Sequence, residues 1–407
     1  MDSSCRTYRS RWTVLFLYMG VAAFTQLFWL NFAAIETYLE ARMGIPAGQV
    51  MWLTLVFPLI QVLLTLPAGL IIDRRGFKFG VGLGAALTAV FSLTRLIDPS
   101  SFVLLLLSQA GIAVGQPFVL NGVTKLASVW FPPREEATAV GLGSLALFIG
   151  MIVALGATPW LVESRSLTFM LAVYGAAAAA AALAFLVFVR PQPPTPSRPD
   201  EPEAVLSSGK ALRHVLGFPD FVKLGFVAFA GIGAFNGLAS WLEKILSEGH
   251  GLSMTAAGQV SAALIFSGMI GCFVIPLISD KIGRRKPFLL LSALAGAAAM
   301  AALIVRKSMA LDLANGIGLG FFLIAALPIM LTMSAEITGP KYAGLSVGYL
   351  QLLGNIGAVA LVAVMELLRG ASGGFAAPLL LLSVLLAGAF LLAFFIKETG
   401  RRGSNSR

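Results

Sequence analysis

The sequence has little charge: Asp, Glu, Lys and Arg make up 12% of its 407 residues, whereas hydrophobic residues make up 58%. Soluble domains carry about 25% charged residues. With a mean hydropathy of +0.88, a chain of this length would expose apolar surface in water that a single core could not bury. The composition therefore excludes a soluble globular protein and indicates a protein embedded in a membrane.

Cysteine and histidine are scarce, with two of each. Cys5 and Cys272 are too few, and too differently placed, to form a disulfide framework. His214 and His250 lie in predicted loops far apart, so they do not indicate the acid–base or metal cluster of a membrane-embedded enzyme. A G-x-x-x-x-G-K-[ST] phosphate-binding loop is also missing, which argues against ATP-driven pumping. We expect no enzymatic activity, no cofactor and no metal site.

The charges that remain separate long apolar runs and form no basic patch, so the net charge of +10 does not indicate nucleic-acid binding. A membrane-spanning helix needs about 20 mostly apolar residues. Twelve runs are candidate spans: 12–35, 43–72, 79–94, 99–124, 137–162, 166–189, 224–242, 251–279, 287–305, 313–335, 342–365 and 370–396. The third run is short, and we expect the side chain of Arg95 at its end to snorkel to the membrane surface.

The distribution of positive charge predicts the orientation of these spans. If the N-terminus is cytoplasmic, only seven of the 29 Lys and Arg residues fall outside: Arg42, Arg95, Arg165, Lys244, Arg306, Lys307 and Arg369. Lys and Arg concentrate on the cytoplasmic side of membrane proteins. The sequence therefore predicts a multi-pass protein of the inner or plasma membrane with both termini in the cytoplasm.

Residues 191–218 contain the Pro-rich, charged stretch PQPPTPSRPDEPEAV, which cannot span a membrane and is typical of a flexible cytoplasmic linker. The linker separates residues 1–190, with six predicted spans, from residues 219–407, with six more. The predicted fold is an all-α membrane protein whose twelve transmembrane helices form two pseudo-symmetric six-helix bundles.

Sequence matches between the two halves recur at an offset of 207 residues, as in Pro133 with Pro340 and Gly150 with Gly357. The most extensive match joins the loops after the second and eighth spans. The first loop carries Gly69, Asp73, Arg74, Gly76 and Lys78, and the second carries Asp280, Gly283, Arg284 and Arg285. The second copy lacks the leading glycine and has Pro276 in its place. A constant offset indicates a duplicated six-helix unit. The first loop, G-x-x-x-D-R-x-G-x-[RK], resembles the loop signature of the major facilitator superfamily, which implies a twelve-helix transporter.

The two loop carboxylates suggest a conformational latch. A carboxylate at a helix end is attracted to the N-terminus of another helix. We expect Asp73 to face the start of the eleventh span near Lys341, and Asp280 to face the start of the fifth span near Arg134. Such contacts exist only while the halves meet on the cytoplasmic side, so they would stabilise the outward-open state. The alternative is that these charges only set the topology.

Substrates of carriers built from two halves bind near the bilayer midplane between them. Seven side chains are predicted at that depth and form the candidate substrate site: Gln26, Trp29, Asn31, Gln61, Gln116, Asn236 and Asn355. No acidic or basic residue accompanies them, which argues against strong proton coupling. Amides beside an indole suit a small neutral solute or an organic cation. The alternative for each residue is hydrogen bonding or packing between helices.

The segments 128–135 and 335–338 and the surroundings of Trp29 resemble the FLVCR-type haem and choline transporter family. The resemblance implies a choline site made by a first-helix Trp, a fourth-helix Gln, a seventh-helix Tyr and an eleventh-helix Gln. Trp29 and Gln116 match this set, whereas Asn236 and Asn355 stand where the family has Tyr and Gln. Loss of the Tyr removes half of the aromatic cage.

We predict a monomeric secondary transporter in the lipid bilayer that moves a small organic solute, neutral or cationic and including choline-like molecules, by rocker-switch alternating access. A proton-coupled symporter or exporter of an organic metabolite or drug is the first alternative. A receptor or assembly protein on a carrier fold is the second, and transport by the purified protein in liposomes distinguishes it from a carrier.

Overall fold

The computed structural model describes residues 8–44, 48–194, 209–305, 308–339, 342–372 and 374–400. Over these residues the chain is helical, and it divides into two compact units, Met1–Pro202 and Glu203–Arg407. Lys341 and residues 195–208 of the predicted linker lie outside the described residues, as does the side chain of Arg134.

The first unit contains eight helices within its described residues. They are α1 Ser10–Leu30, α2 Glu36–Met43, α3 Trp52–Arg75, α4 Phe77–Thr94, α5 Phe102–Leu120, α6 Gly122–Trp130, α7 Pro133–Ser164 and α8 Leu167–Phe188. A 3-10 segment, Ala33–Ile35, joins α1 to α2. Serine side chains cap two of the helices: Ser101 Oγ accepts from the N–H of Leu104 at the start of α5, and Ser166 Oγ accepts from that of Phe169 at the start of α8.

The second unit contains seven helices within its described residues. They are α9 Gly209–Leu216, α10 Pro219–Lys244, α11 Met254–Ile282, α12 Lys286–Ala302, α13 Met309–Thr338, α14 Ala343–Ser372 and α15 Ala376–Phe394. A π-helical turn, Ile245–Gly249, extends α10. The short helix α9 lies within the stretch predicted to be linker and contains His214, so the prediction that His214 lies in a loop is wrong.

Within the described residues, eleven helical spans are long and apolar enough to cross a membrane, with α5 and α6 forming one of them. The shorter apolar helix α12, of 17 residues, occupies the position of the predicted ninth span. The prediction of an all-α membrane protein is therefore confirmed, and α12 completes the expected set of twelve.

Close packing within each unit depends on glycine. Gly150 of α7 lies so near α1 that a Cβ at this position would overlap the carbonyl oxygen of Ala23. Gly357 of α14 lies equally close to α10, where a Cβ would overlap the carbonyl oxygen of Phe229. Lipid offers no hydrophobic driving force for helix association, so small residues that let backbones approach are common at such contacts. The two glycines stand at the 207-residue offset and perform the same packing role in each unit.

Arg95, directly after α4, does not snorkel, and that prediction is wrong. Its side chain is fully buried, and the guanidinium carbon lies 4.4 Å from the ring centroid of Phe28 and 5.4 Å from that of Phe32. Attraction between a cation and aromatic rings favours this inward orientation.

Candidate functional site

The end of α1 provides three of the predicted site residues. Gln26 and Trp29 lie in its last two turns, and Asn31 follows the helix in a turn before the 3-10 segment. All three are buried, with at most 6% of each residue exposed. Gln26 Oε1, Trp29 Nε1 and both amide atoms of Asn31 have no hydrogen-bond partner in the part of the chain that the structure describes. Because buried polar groups are normally paired, these atoms are suited to bind a solute or water.

Two further site residues lie on neighbouring helices of the same unit. Gln61, in α3, is buried, and its Oε1 also has no partner among the described residues. Gln116, in α5, is buried and directly precedes Pro117. Asn121, just after α5, donates from Nδ2 to the carbonyl oxygen of Thr65 in α3 at 2.8 Å, which joins these two helices.

Gln109 of α5 holds the end of α1 in place, a role that the sequence analysis missed. Its Nε2 donates to the carbonyl oxygen of Phe28 at 3.0 Å and to that of Leu53 in α3 at 2.9 Å. Carbonyl groups in the last turn of a helix lack intrahelical donors, so a side-chain amide can satisfy them. Gln109 thereby fixes the backbone next to Trp29. A buried amide in an apolar span is the only sequence signal for this role.

The remaining two site residues belong to the second unit. Asn236 of α10 is buried and donates from Nδ2 to the carbonyl oxygen of Ile232 at 2.8 Å. Ser240 Oγ donates to the carbonyl oxygen of Asn236 at 2.8 Å. Asn355 of α14 is half-buried. The donor of Asn236 is therefore used within its own helix, whereas several polar atoms of the first-unit residues have no partner among the residues described.

The first of the two signature loops is a tight turn at the end of α3. Asp73 and Arg74 lie exposed in the last turn, and Gly76 ends the helix with φ = 82°. A positive φ is strained for residues with a Cβ, which explains the glycine. Lys78 follows in the first turn of α4. Gly69 lies earlier in α3, and a Cβ at this position would meet Asn121 Nδ2 at van der Waals distance.

In the second loop, Arg285 is the centre of an ion-pair network. Gly283 ends α11 in the left-handed conformation, and Ser279 Oγ donates to the carbonyl oxygen of Arg284 at 2.7 Å. The guanidinium of Arg285 forms ion pairs with Asp280 and, at 3.3 Å, with Glu336. Partial burial lowers the pKa of Arg285, but hydrogen bonds and charge attraction from both carboxylates outweigh it, and the net pKa is raised. Asp280 thus has a partner within its own loop.

The chain after α15 returns to this loop. Glu398 Oε1 accepts hydrogen bonds from the backbone N–H of Arg285 at 2.7 Å and of Lys286 at 3.4 Å. The carboxylate therefore satisfies N–H groups at the start of α12, where the helix dipole favours negative charge. Thr399 Oγ1 donates to Glu336 at 2.6 Å. No sequence pattern marks Glu398 for this role, because the contact joins residues 113 positions apart.

His250 is buried and ion-paired. Its Nδ1 lies 2.9 Å from Oδ2 of Asp312, and its Nε2 lies 3.0 Å from the carbonyl oxygen of Leu303. A carbonyl oxygen only accepts, so Nε2 donates to Leu303, and Nδ1 faces the carboxylate of Asp312. The pair joins the segment before α11 to the start of α13, and the sequence analysis missed it.

Comparison with known proteins defines the family. The sequence profile of the Major Facilitator Superfamily matches residues 14–326. The chain belongs to the Major Facilitator Superfamily. The solved structure of a bacterial homologue of the human lysosomal transporter Spinster, inward-facing and unoccupied, has the same fold, with a TM-score of 0.79 over 96% of this chain and 98% of that one. The two sequences are only 18% identical, so this likeness concerns the fold alone.

Two curated relatives connect this superfamily member to named transporters. The choline/ethanolamine transporter flvcr2a of Danio rerio is 24% identical over 99% of this chain and 90% of its own length. Solute carrier family 49 member A3 of Xenopus tropicalis is 29% identical, covering 86% of this chain and 76% of its own. The predicted resemblance to the superfamily and to FLVCR-type transporters is confirmed. This protein is a multi-pass membrane transporter of the Major Facilitator Superfamily.

Proposed function

We propose that this protein moves a small organic cation or a neutral solute across the inner or plasma membrane by rocker-switch alternating access. The observation that supports the proposal best is the set of buried polar atoms without described partners around Trp29. The names of the FLVCR relatives suggest choline and ethanolamine as first candidates. Both combine an ammonium group with a hydroxyl, which matches an indole beside amides.

In this mechanism Trp29 forms the wall against which the cationic group rests. Gln116 from one unit and Asn355 from the other would bind the polar end of the solute, because an amide both donates and accepts. With Asn instead of Tyr at position 236, Trp29 is the one aromatic residue of the choline-site set that the resemblance implies, so we expect weaker discrimination between choline and related amines than two aromatic walls would give.

We expect Trp29→Ala to weaken choline binding roughly 2- to 30-fold, the loss of a cation–π contact of about 0.5–2 kcal/mol. Choline binding to the purified protein is measured by calorimetry, and uptake is measured in liposomes. Trp52→Ala is the matched control, because that indole is 47% exposed. Gln116→Ala and Asn355→Ala should also weaken binding. If all three site variants bind like the parent, the site lies elsewhere.

Proton-coupled transport is the alternative that a specific observation favours. His250 and Asp312 form a buried pair of ionisable groups, and buried ionisable groups in membrane proteins often mark proton pathways. The same liposomes decide between the mechanisms. Uptake down a choline gradient that persists with a protonophore supports the uncoupled carrier, whereas accumulation that collapses supports coupling. A protein that binds choline without moving it would be a receptor.

We also propose that the signature loops latch the outward-open state. The carboxylates of Asp73 and Asp280 would attract helix N-termini in the opposite half near Lys341 and Arg134 when the halves close on the cytoplasmic side. Asp280 would do so while bound to Arg285, which holds its side chain in place.

We expect Asp73→Asn to depopulate the outward-open state, because the amide keeps the shape of the side chain but removes its charge. Distances between spin labels on the cytoplasmic loops report the populations. Asp98→Asn is the control, since this exposed acid lies in the predicted outer loop and its carboxylate accepts only from the nearby N–H of Ser100 among its described contacts. An unchanged distance distribution in Asp73→Asn would exclude the latch.

A further inference from the structure

Arg95 is a buried cation for which the described structure provides no hydrogen-bond acceptor. The residue is 0% exposed, and Nε and both Nη atoms have no partner. The planar group lies over the rings of Phe28 and Phe32. A guanidinium stays protonated in proteins and carries five N–H donors. These donors are therefore enclosed beside two aromatic rings without an acceptor that the described residues supply.

Two other predicted outer arginines lie over aromatic rings, and each balances its charge differently. Arg165, over Phe169, is exposed, so water solvates its guanidinium. Arg369 lies over Trp241 and Phe375 and forms an ion pair with Glu248 at 2.9 Å. Arg95 has neither exposure to water nor an ion pair among the described residues. An aromatic ring alone does not replace the hydration of a buried charge, which costs several kcal/mol without compensation.

Polar side chains lie next to Arg95 in the sequence and next to Phe28 in the structure. Thr94 and Ser108 share a hydrogen bond of 2.8 Å between their hydroxyl groups, which brings the end of α4 against α5. Gln109, next to Ser108, is bound to the carbonyl oxygen of Phe28. Its Oε1 has no partner in the described structure and accepts hydrogen bonds, so it is the alternative acceptor that the test must exclude.

We propose that Arg95 binds a small inorganic anion, with chloride as the physiological occupant, where the end of α4 meets α1 and α5. A halide neutralises the guanidinium and accepts several N–H groups at once. It is also small enough for a site closed to solvent, whereas a carboxylate or phosphate ester would need an open path. The anion would be structural, because it stabilises the packing of Phe28 and Phe32 at the end of α1. The inference is independent of the transported solute.

Bromide provides the direct test, because its anomalous diffraction distinguishes it from water. We expect crystals of the full-length protein grown in bromide to show an anomalous peak within hydrogen-bond distance of the Arg95 guanidinium. In solution, replacing gluconate by chloride at constant ionic strength should raise the Tm of the protein by about 2–4 °C. The Arg95→Gln variant should lose this rise, whereas Arg165→Gln should retain it.

Two results would overturn the proposal. The first is a structure in which Arg95 bonds to Gln109 Oε1 or to water alone and no bromide peak is present. The second is a Tm that is the same in chloride and gluconate for the unchanged protein, a measurement that does not depend on whether Arg95→Gln folds. An anomalous peak together with a chloride-dependent Tm in the parent supports the site even if the variant is unstable.

Discussion

Replacement of His250 by alanine is expected to lower the free energy of unfolding of the second unit by about 3–5 kcal/mol, the typical cost of breaking a buried ion pair by removing one partner. His250 and the Asp312 carboxylate are 3% and 0% exposed at the side chain. The substitution leaves the Asp312 carboxylate buried without the partner described here, and it also removes the hydrogen bond to the carbonyl oxygen of Leu303. Thermal and denaturant unfolding of the purified protein in detergent measure the effect.

Two variants separate loss of the ion pair from other causes. His214→Ala is the matched control, because His214 is exposed and contacts only the rings of Phe218 and Tyr342 in the described contacts. It should change stability by less than about 1 kcal/mol. The double variant His250→Leu with Asp312→Leu should recover much of the lost stability, since apolar replacement of both partners removes the stranded charge. A double variant as unstable as His250→Ala would contradict this account.

The fold was predictable because a bilayer imposes one strong rule. Backbone groups in lipid must be satisfied within the segment, so long apolar runs become helices. The twelve apolar runs and their duplication were therefore sufficient to predict the membrane-spanning helices, but not the short helix α9. The boundaries differ where helices extend beyond the apolar core, as in α10, which begins at Pro219, and α13, which begins at Met309. The predicted span ends were placed at charged residues, but a helix can continue past a charged residue. The predicted ends therefore differ from the ends of the helices.

The buried charges were not predictable by the same reasoning. Hydropathy treats Arg95 and Asp312 as markers of span ends, because it contains no information on what lies beside them. Phe28 is 67 positions from Arg95 in the sequence, and His250 is 62 positions from Asp312. Only the folded arrangement of helices brings these partners together. The same limit applies to Gln109, whose two carbonyl partners lie on α1 and α3.

The candidate site shows how far depth counting can go. Counting to the middle of each span selected polar side chains. Those of the first unit are buried, and several of their polar atoms have no partner in the part of the chain that the structure describes. Counting alone could not distinguish Asn236, whose donor is used within its own helix, from the other candidate site residues. The Trp29→Ala, Gln116→Ala and Asn355→Ala variants test the proposal that these residues bind a solute.

The duplicated glycines allow a sharp test of packing. We expect Gly150→Ala to destabilise the first unit by about 1–3 kcal/mol, the usual cost of overpacking, because the new Cβ would overlap the carbonyl oxygen of Ala23. Backbone atoms of α1 cannot move aside as a flexible side chain can, so the two helices must separate. Gly357→Ala should have the same effect in the second unit, against Phe229.

The same two helices provide matched controls. Gly141 of α7 and Gly348 of α14 also stand 207 residues apart, and a Cβ at either position meets no atom within 4 Å. Alanine favours a helix over glycine by up to about 1 kcal/mol, so Gly141→Ala and Gly348→Ala should be neutral or stabilising. Gly150→Ala and Gly357→Ala should therefore lower the midpoint of thermal unfolding, whereas Gly141→Ala and Gly348→Ala should not. Equal midpoints for Gly150→Ala and Gly141→Ala would show that α1 and α7 pack less closely than the structure indicates. They would also contradict the proposal that Gly150 and Gly357 perform the same packing role in the two units.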